Sequence, residues 1–242
     1  MRAGEPWPRT IAVWDLPTRL FKWSLVLTVS LAFLFSSSHP RGSIFLVHVA
    51  CGYVVTLLLL FRFVWGFVGG QQARFRSFVY GWRCVHAYSR RLLRFDPPRT
   101  LGHNPVGGWM IMTLLTTLSF IVLTGLLAES RTGGSGALSQ LLSTGAIAVL
   151  GDIHAWLGLV IMWLAGLHVA GVLFESLLHR ENLILTMITG RKRIVDPSDI
   201  DARHTSLWHA APLVIVLAIL GAWLVANTHM PPTTGMSVMK VP

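Results

Sequence analysis

The sequence predicts an all-α integral membrane protein with five transmembrane helices. Of its 242 residues, 53% are hydrophobic and only 12% are charged, and the mean hydropathy is +0.60. A soluble chain carries about 25% charged residues. This composition excludes a disordered chain, a coiled coil and an ordinary soluble enzyme.

Five apolar stretches are long enough to cross about 30 Å of hydrocarbon, which takes about 20 helical residues. None alternates as the strands of a membrane β-barrel do, so the backbone groups in lipid require helices. No small-residue cleavage site follows the first stretch, and we interpret it as a retained helix and not as a signal peptide. The stretches lie at about residues 21–38, 44–68, 106–128, 153–178 and 208–226.

The basic residues predict the orientation of these spans. Of the 20 Lys and Arg residues, 17 fall on one side, and only Arg41, Arg131 and Lys240 fall on the other. By the positive-inside rule the N-terminus is cytoplasmic and the C-terminal tail is outside. The net charge of +10 therefore marks topology, and nucleic acid is not an expected partner.

Two connecting segments have predicted structure of their own. The loop at residues 69–102 is basic and aromatic, which predicts a surface helix that lies on anionic lipid headgroups. Residues 138–150 are mildly amphipathic and predict a short helix on the outer face of the membrane.

Histidines inside the spans point to a cofactor, because ionisable side chains in a membrane are costly and usually functional. His154 and His168 are fourteen residues apart, so both project from nearly the same face of span four, about 21 Å apart along its axis. Imidazole is a common axial ligand of haem iron, and helix bundles hold cofactors between facing helices. Two ligands at two depths predict two stacked haems.

Depth in the membrane predicts the partner of each histidine. Spans two and four both enter from outside, so His48 lies level with His154 and the two can clamp one haem. His168 lies in the inner half of the membrane, where the side chain at the start of span one is Lys22. A zinc site is less favoured, because no second cluster of His, Cys or carboxylate lies nearby.

Two further features have two interpretations each. Gly52 and Gly158 stand one helical turn after the outer histidines, where they leave room for a planar macrocycle or simply allow helices to pack closely. Arg62 is fourteen residues after His48. It neutralises a propionate of an inner haem, or it extends to the cytoplasmic headgroups.

Four stretches of the chain carry a resemblance to a known family. They are residues 13–23, His48 with residues 61–69, residues 102–109 and residues 154–168. Together they resemble the bacterial cytochrome b561 family, which includes the cytochrome b subunits of nickel-iron hydrogenases. The resemblance implies a protein of the bacterial inner membrane, with its C-terminus in the periplasm and a four-helix haem-binding core at residues 1–190. A cytoplasmic linker, the fifth span and an extracytoplasmic tail then occupy residues 191–242.

The resemblance also implies haem ligands. Those of the outer haem map onto His48 and His154, and those of the inner haem onto His168 and position 22. The Phe-His-Trp pattern of the family reads Phe-Lys-Trp at this position. Three interpretations stay open. Lys22 ligates the inner haem as a neutral amine; or it extends to the headgroups and the inner haem has one protein ligand or another partner; or that haem is absent and His168 packs or contacts quinone.

His103 precedes an Asn-Pro pair at residues 104–105, a pattern typical of a helix start. Its interpretations are contact with a haem propionate, proton relay to a quinone, or a solvated histidine at the membrane surface.

The function predicted from these features is that of a b-type cytochrome. It transfers electrons between the quinone pool and an extracytoplasmic redox partner, such as a cytochrome c or a hydrogenase-like subunit. An electron-transfer subunit is favoured over a stand-alone enzyme. The alternatives are a self-contained quinone-linked oxidoreductase and a one-haem or haem-free membrane anchor of a larger complex.

Overall fold

The computed structural model describes residues 10–36, 43–128, 142–194, 201–202 and 207–227, and this part of the chain is mostly helical. A short 3-10 helix lies at Phe75–Ser77. The strands are β1 (Thr10–Ala12) and β2 (Arg191–Arg193). The α-helices are α1 (Leu16–Leu34), α2 (Ser43–Val68), α3 (Trp82–Leu93), α4 (Pro105–Ala128), α5 (Thr144–Leu178), α6 (Leu183–Thr189) and α7 (Leu207–Asn227).

Three helices of the described chain are long and apolar enough to cross a membrane: Ile44–Val68, Pro105–Ala128 and Thr144–Leu178. The apolar part of α7, Trp208–Gly221, is shorter, and α1 is not among the three. The protein is therefore a helical membrane protein, and the count of five crossings stays a prediction.

Two predicted boundaries differ from the structure. Helix α1 begins at Leu16, before the apolar stretch, because Asp15 caps its N-terminus, and it ends at Leu34. Helix α5 begins at Thr144, capped by Ser143. The separate outer helix predicted at residues 138–150 is therefore wrong from residue 144 onward, where the chain already forms the first turns of α5. Residues 138–141 lie outside the described chain.

The long helices pack as two pairs around a shared core. Helix α1 lies against α2 and α4 against α5, and α2 joins the pairs by contacting α4; α7 lies against α2 and α1. The core includes Trp65, Phe61, Leu115 and Ile161. Many apolar side chains face outward instead, such as Trp163 with 82% of its surface exposed. That distribution suits a protein surrounded by lipid.

One end of the bundle carries the two strands and is called the strand end. Strand β1 pairs antiparallel with β2, with Ile11 opposite Lys192. A helix is present in the basic loop as predicted: α3 buries Val85 and Tyr88 and exposes Trp82. Its contact with lipid headgroups stays a prediction. The opposite end of the bundle is the far end.

Asp15 joins the start of α1 to the end of α2. Its carboxylate is buried and accepts hydrogen bonds from the Thr18 N–H at 2.9 Å, the Trp65 indole N–H at 3.3 Å and the Gly70 N–H at 3.0 Å. Because Trp65 is fully buried, its indole N–H has no access to water if this carboxylate is removed.

Replacing Asp15 by alanine is expected to destabilise the protein by about 2–4 kcal/mol. The helix cap contributes about 0.5–2 kcal/mol, and each buried donor left unpaired costs about 1–3 kcal/mol. Thermal unfolding of the detergent-solubilised protein measures the effect. Asp96→Ala is the matched control, because the Asp96 side chain is 81% exposed and its loss is expected to leave the midpoint unchanged. Equal midpoints for both variants would contradict the role of Asp15.

Candidate functional site

A large cavity lies between the helices at the far end and is called the two-histidine cavity. Its volume is about 1050 Å³. His48 of α2 and His154 of α5 both line it, as the sequence predicts, and the remaining lining is mostly apolar. Pockets for drug-sized ligands span roughly 300–1,000 Å³, so this cavity accommodates a molecule as large as a haem.

The two histidine rings face each other at the spacing of axial ligands. Their centroids are 5.8 Å apart and their planes meet at 85°. Two metal–imidazole bonds of about 2 Å each, with about 1 Å from each nitrogen to its ring centre, place such rings roughly 6 Å apart. The geometry of His48 and His154 therefore fits one metal atom between them.

Backbone carbonyls hold both rings in the orientation that ligation needs. Nδ1 of His48 lies 2.7 Å from the Ala32 carbonyl oxygen of α1, and Nδ1 of His154 lies 2.9 Å from the Ile121 carbonyl oxygen of α4. A carbonyl only accepts hydrogen bonds, so each Nδ1 donates and each neutral ring keeps its Nε2 lone pair. Metal-binding histidines are usually held in this way. The sequence does not reveal either carbonyl, because a backbone group has no residue signature.

Glycines create the room around these rings. A Cβ atom placed at Gly52 or Gly158 would meet no atom within 4 Å, whereas one at Gly125 would lie 2.8 Å from Cε1 of His154. The open space supports the interpretation that Gly52 and Gly158 make room for a ligand. Gly125 is needed for the His154 ring itself, and the sequence analysis did not identify it.

A smaller cavity lies toward the strand end and is called the strand-end cavity. Its volume is about 300 Å³, and it is lined by both residues predicted for an inner haem, Lys22 and His168. His103 and Glu175 also line it. The volume is at the lower limit for ligand pockets and does not accommodate a macrocycle. Within the described chain the His168 ring forms no hydrogen bond, unlike the rings of the two-histidine cavity.

His103 is packed between aromatic side chains and is only partly exposed. Its ring centroid lies 4.6 Å from that of Trp14 and 5.1 Å from that of Phe78. Burial lowers the pKa of His103 well below its usual value, and the positive charges of Lys22 and Arg62 act in the same direction. The ring is therefore neutral, and its buried Nδ1 has no hydrogen-bond partner in the part of the chain that the structure describes.

Arg62 is buried as well, with 5% of its surface exposed. Its guanidinium carbon lies 4.9 Å and 5.5 Å from the ring centroids of Phe75 and Phe78, within the range of a cation–π interaction. The burial of this side chain favours a role inside the protein over an extension to the headgroups. Nη1 has no hydrogen-bond partner among the described residues, so this nitrogen is available to an anionic group.

Three segments meet at Glu175, near the end of α5. Its Oε1 accepts hydrogen bonds from the Tyr88 hydroxyl and the Asn104 side-chain amide, and its Oε2 lies 3.2 Å from Nε2 of His179. Asn104 also caps α4, as its side chain accepts a hydrogen bond from the Gly107 N–H, which confirms the predicted helix start. The sequence analysis did not predict this cluster, because its members are up to 91 positions apart.

No group of three or more His, Cys, Asp or Glu side chains that could hold a metal ion occurs among the described residues. The two-histidine cavity combines two imidazoles with a large, mostly apolar volume. The class that fold and site define is therefore a helical membrane protein with a paired-imidazole cofactor cavity.

The family described as prokaryotic cytochrome b561 matches residues 13–190, and the chain belongs to this family. Relatives named as probable Ni/Fe-hydrogenase B-type cytochrome subunits agree with the match. The protein from Bradyrhizobium diazoefficiens is 24% identical over 222 residues, covering 80% of this chain and 89% of the relative. That from Escherichia coli K12 is 26% identical over 211 residues, covering 74% and 88%. No solved structure matches the chain.

Proposed function

We propose that this protein is a b-type cytochrome that carries electrons within the membrane, with haem b held between His48 and His154. The observation that carries the proposal is the pair of facing imidazoles, 5.8 Å apart, in a cavity of about 1050 Å³. The names of the relatives, B-type cytochrome subunits, support the same cofactor.

The residues of the cavity have separate roles in this proposal. His48 and His154 would hold the haem iron, and the carbonyls of Ala32 and Ile121 orient the two rings and increase their basicity. Gly52 and Gly158 leave room for the macrocycle. The mostly apolar lining excludes water. When bound, the haem iron supplies one-electron redox chemistry.

The proposed topology has five crossings, with the strand end in the cytoplasm. Residues 1–190 form the haem-binding core, and residues 191–242 supply the linker, the fifth helix and an extracytoplasmic tail. The basic loop and β2, with Arg191 and Lys192, lie at the strand end, which supports this orientation. The three basic residues expected outside, Arg41, Arg131 and Lys240, lie beyond the described residues.

The proposed electron donors and acceptors are a quinone and an extracytoplasmic redox protein. The strand-end cavity has the volume of a ring-sized ligand and offers polar contacts from His103, His168, Lys22 and Glu175, which suits the two oxygens of a quinone ring. The relatives are named as hydrogenase subunits, so a hydrogenase-like protein is the partner we propose for the other end, with a cytochrome c as the second choice.

A second haem on His168 and Lys22 stays a prediction of the resemblance. The small strand-end cavity and the absence of a carbonyl partner for His168 in the described chain are the observations against it. If the cavity takes a quinone instead, the purified protein is expected to contain one haem per polypeptide. Haem is quantified from a reduced-minus-oxidised spectrum and divided by the protein concentration.

The variant Lys22→Ala completes this experiment. With one haem in the two-histidine cavity, the variant is expected to keep the low-spin spectrum of the wild type. Two haems per polypeptide, with one low-spin signal lost in Lys22→Ala, would establish the inner haem and Lys22 as its ligand. A polypeptide without haem would overturn the proposed function and favour a membrane anchor.

A further inference from the structure

Glu175 is a buried carboxylate that electron transfer through the two-histidine cavity does not use. Its side chain is 11% exposed and lines the strand-end cavity together with His168. A carboxylate in such surroundings is costly unless other groups hydrogen-bond to it. The positions of its partners show which of its two oxygens can exchange a proton.

One oxygen of Glu175 is fully used as an acceptor. The Tyr88 hydroxyl donates to Oε1 at 2.7 Å and the Asn104 amide at 2.8 Å. Burial, and then the neighbouring Glu175, raise the pKa of Tyr88 above its usual value, so the hydroxyl keeps its proton. The Asn104 amide is fixed because its oxygen accepts from the Gly107 N–H at 2.6 Å. An exchangeable proton therefore belongs on Oε2.

The other oxygen faces a group that leads to the surface. Oε2 lies 3.2 Å from Nε2 of His179, whose side chain is 17% exposed at the C-terminal cap of α5. An imidazole changes its charge near neutral pH and is suited to passing protons. Nε2 of His179 has no hydrogen-bond partner among the described residues, so the contact with Oε2 is one of distance and not a formed hydrogen bond. It places His179 between Glu175 and the surface of the strand end.

Glu181 is a second carboxylate beside the same cavity, and its partners differ from those of Glu175. Its Oε1 lies 2.6 Å from Nε of Arg99 and its Oε2 lies 2.9 Å from Nζ of Lys192. Glu181 is thus held between two basic side chains. Within the described chain no Lys or Arg lies within ion-pair distance of Glu175, and its ion-pair partner is the imidazole of His179. Besides Glu175 and His179, the ionisable groups that line the cavity are Lys22, His103, His168, Glu181 and Lys192.

We propose that Glu175 is the proton-exchange group of the quinone site and that His179 connects it to the strand-end surface. This inference rests on the quinone function proposed above. In quinol oxidation two electrons leave one at a time for haem iron, which is reduced, while both O–H bonds of the ring break. Each proton binds Oε2 of Glu175, passes to His179 and leaves to water. Quinone reduction follows the same path in reverse.

The experiment measures how fast duroquinol reduces the haem of the full-length, oxidised protein in detergent. Each quinol reduces the haems of two protein molecules. Because the acceptor is the ionised carboxylate, the wild-type rate is expected to rise with pH to a plateau. Glu175→Gln is expected to be about 100-fold slower, within the usual range for general acid–base groups, and independent of pH. His179→Ala is expected to be about tenfold slower, and imidazole added to the buffer restores its rate.

The controls separate this inference from the function on which it rests. Asp96→Asn removes an exposed carboxylate and is expected to react like the wild type. A wild-type haem that dithionite reduces but duroquinol does not would overturn the quinone function, and with it the role of Glu175. A wild type reduced by duroquinol, with Glu175→Gln equal to it in rate and pH profile, overturns the role of Glu175 alone.

Glu175→Asp and His179→Ala keep the test decisive if Glu175→Gln fails to fold. Glu175→Asp retains a carboxylate and is expected to retain the pH dependence. The proposed path is overturned if His179→Ala reduces its haem as fast as the wild type. It is also overturned if the variant is slower and added imidazole does not restore its rate. Unchanged haem spectra in all variants show that the two-histidine cavity is intact.

Discussion

Replacing His154 by alanine is expected to lower the haem content of the purified protein more than tenfold. The ring is one of two imidazoles that face each other in the two-histidine cavity, and loss even of a partner of a metal ligand lowers metal affinity about 10–100-fold. The haem that remains loses its low-spin, six-coordinate spectrum, because His48 is then the only axial ligand from the protein. Visible absorption of the dithionite-reduced protein, related to protein concentration, measures both effects.

The matched control is His168→Ala on the same helix. This histidine lies fourteen positions away, lines the strand-end cavity and is not expected to affect the haem of the two-histidine cavity. His48→Ala is expected to behave like His154→Ala. Full haem content and an unchanged spectrum in either His48→Ala or His154→Ala would show that the haem is bound elsewhere.

The second prediction concerns the space that the haem occupies. Gly158→Leu is expected to abolish haem binding and leave the fold intact, because Gly158 lines the two-histidine cavity and a Cβ atom at this position meets no protein atom within 4 Å. Leucine also favours a helix by almost 1 kcal/mol relative to glycine. Haem content and thermal unfolding of the apoprotein measure the two effects separately.

Gly166→Leu is the control for this substitution. Gly166 lies on the same helix, has no atom within 4 Å of its Cβ position and is exposed on the outer surface of the bundle. It lines neither cavity, so the variant is expected to bind haem normally. If Gly158→Leu unfolds the protein while Gly166→Leu does not, Gly158 serves helix packing, and the cavity interpretation of this glycine is wrong.

The sequence predicted the membrane class and several of the paired residues. Apolar length and the scarcity of charge follow directly from composition, because a bilayer accepts few other chains. Depth along the spans then brought His48 level with His154 and Lys22 level with His168, and the structure places each pair on one cavity. Helix periodicity is regular enough for this kind of argument.

The ends of the helices and the groups that orient the histidine rings could not be predicted in the same way. The apolar stretch does not show where α1 begins, because the capping Asp15 and the residues that follow it are polar or mixed. The carbonyls of Ala32 and Ile121 depend on how helices α1 and α4 rotate against their neighbours. Gly125 is needed only because the His154 ring lies against it and leaves no room for a Cβ atom. These contacts exist only after the helices have packed.

The charged residues show most clearly what the sequence decides and what the tertiary structure decides. The sequence by itself determined that charges are few, and it predicts that most basic residues lie on one side of the membrane. Only the tertiary structure decided what the buried charges do. Packing places Tyr88, Asn104 and His179 around Glu175. It also places two basic side chains beside Glu181 and leaves only a small cavity beside Lys22. These contacts depend on distances of a few ångströms between separate helices, and the order of residues along the chain does not contain those distances.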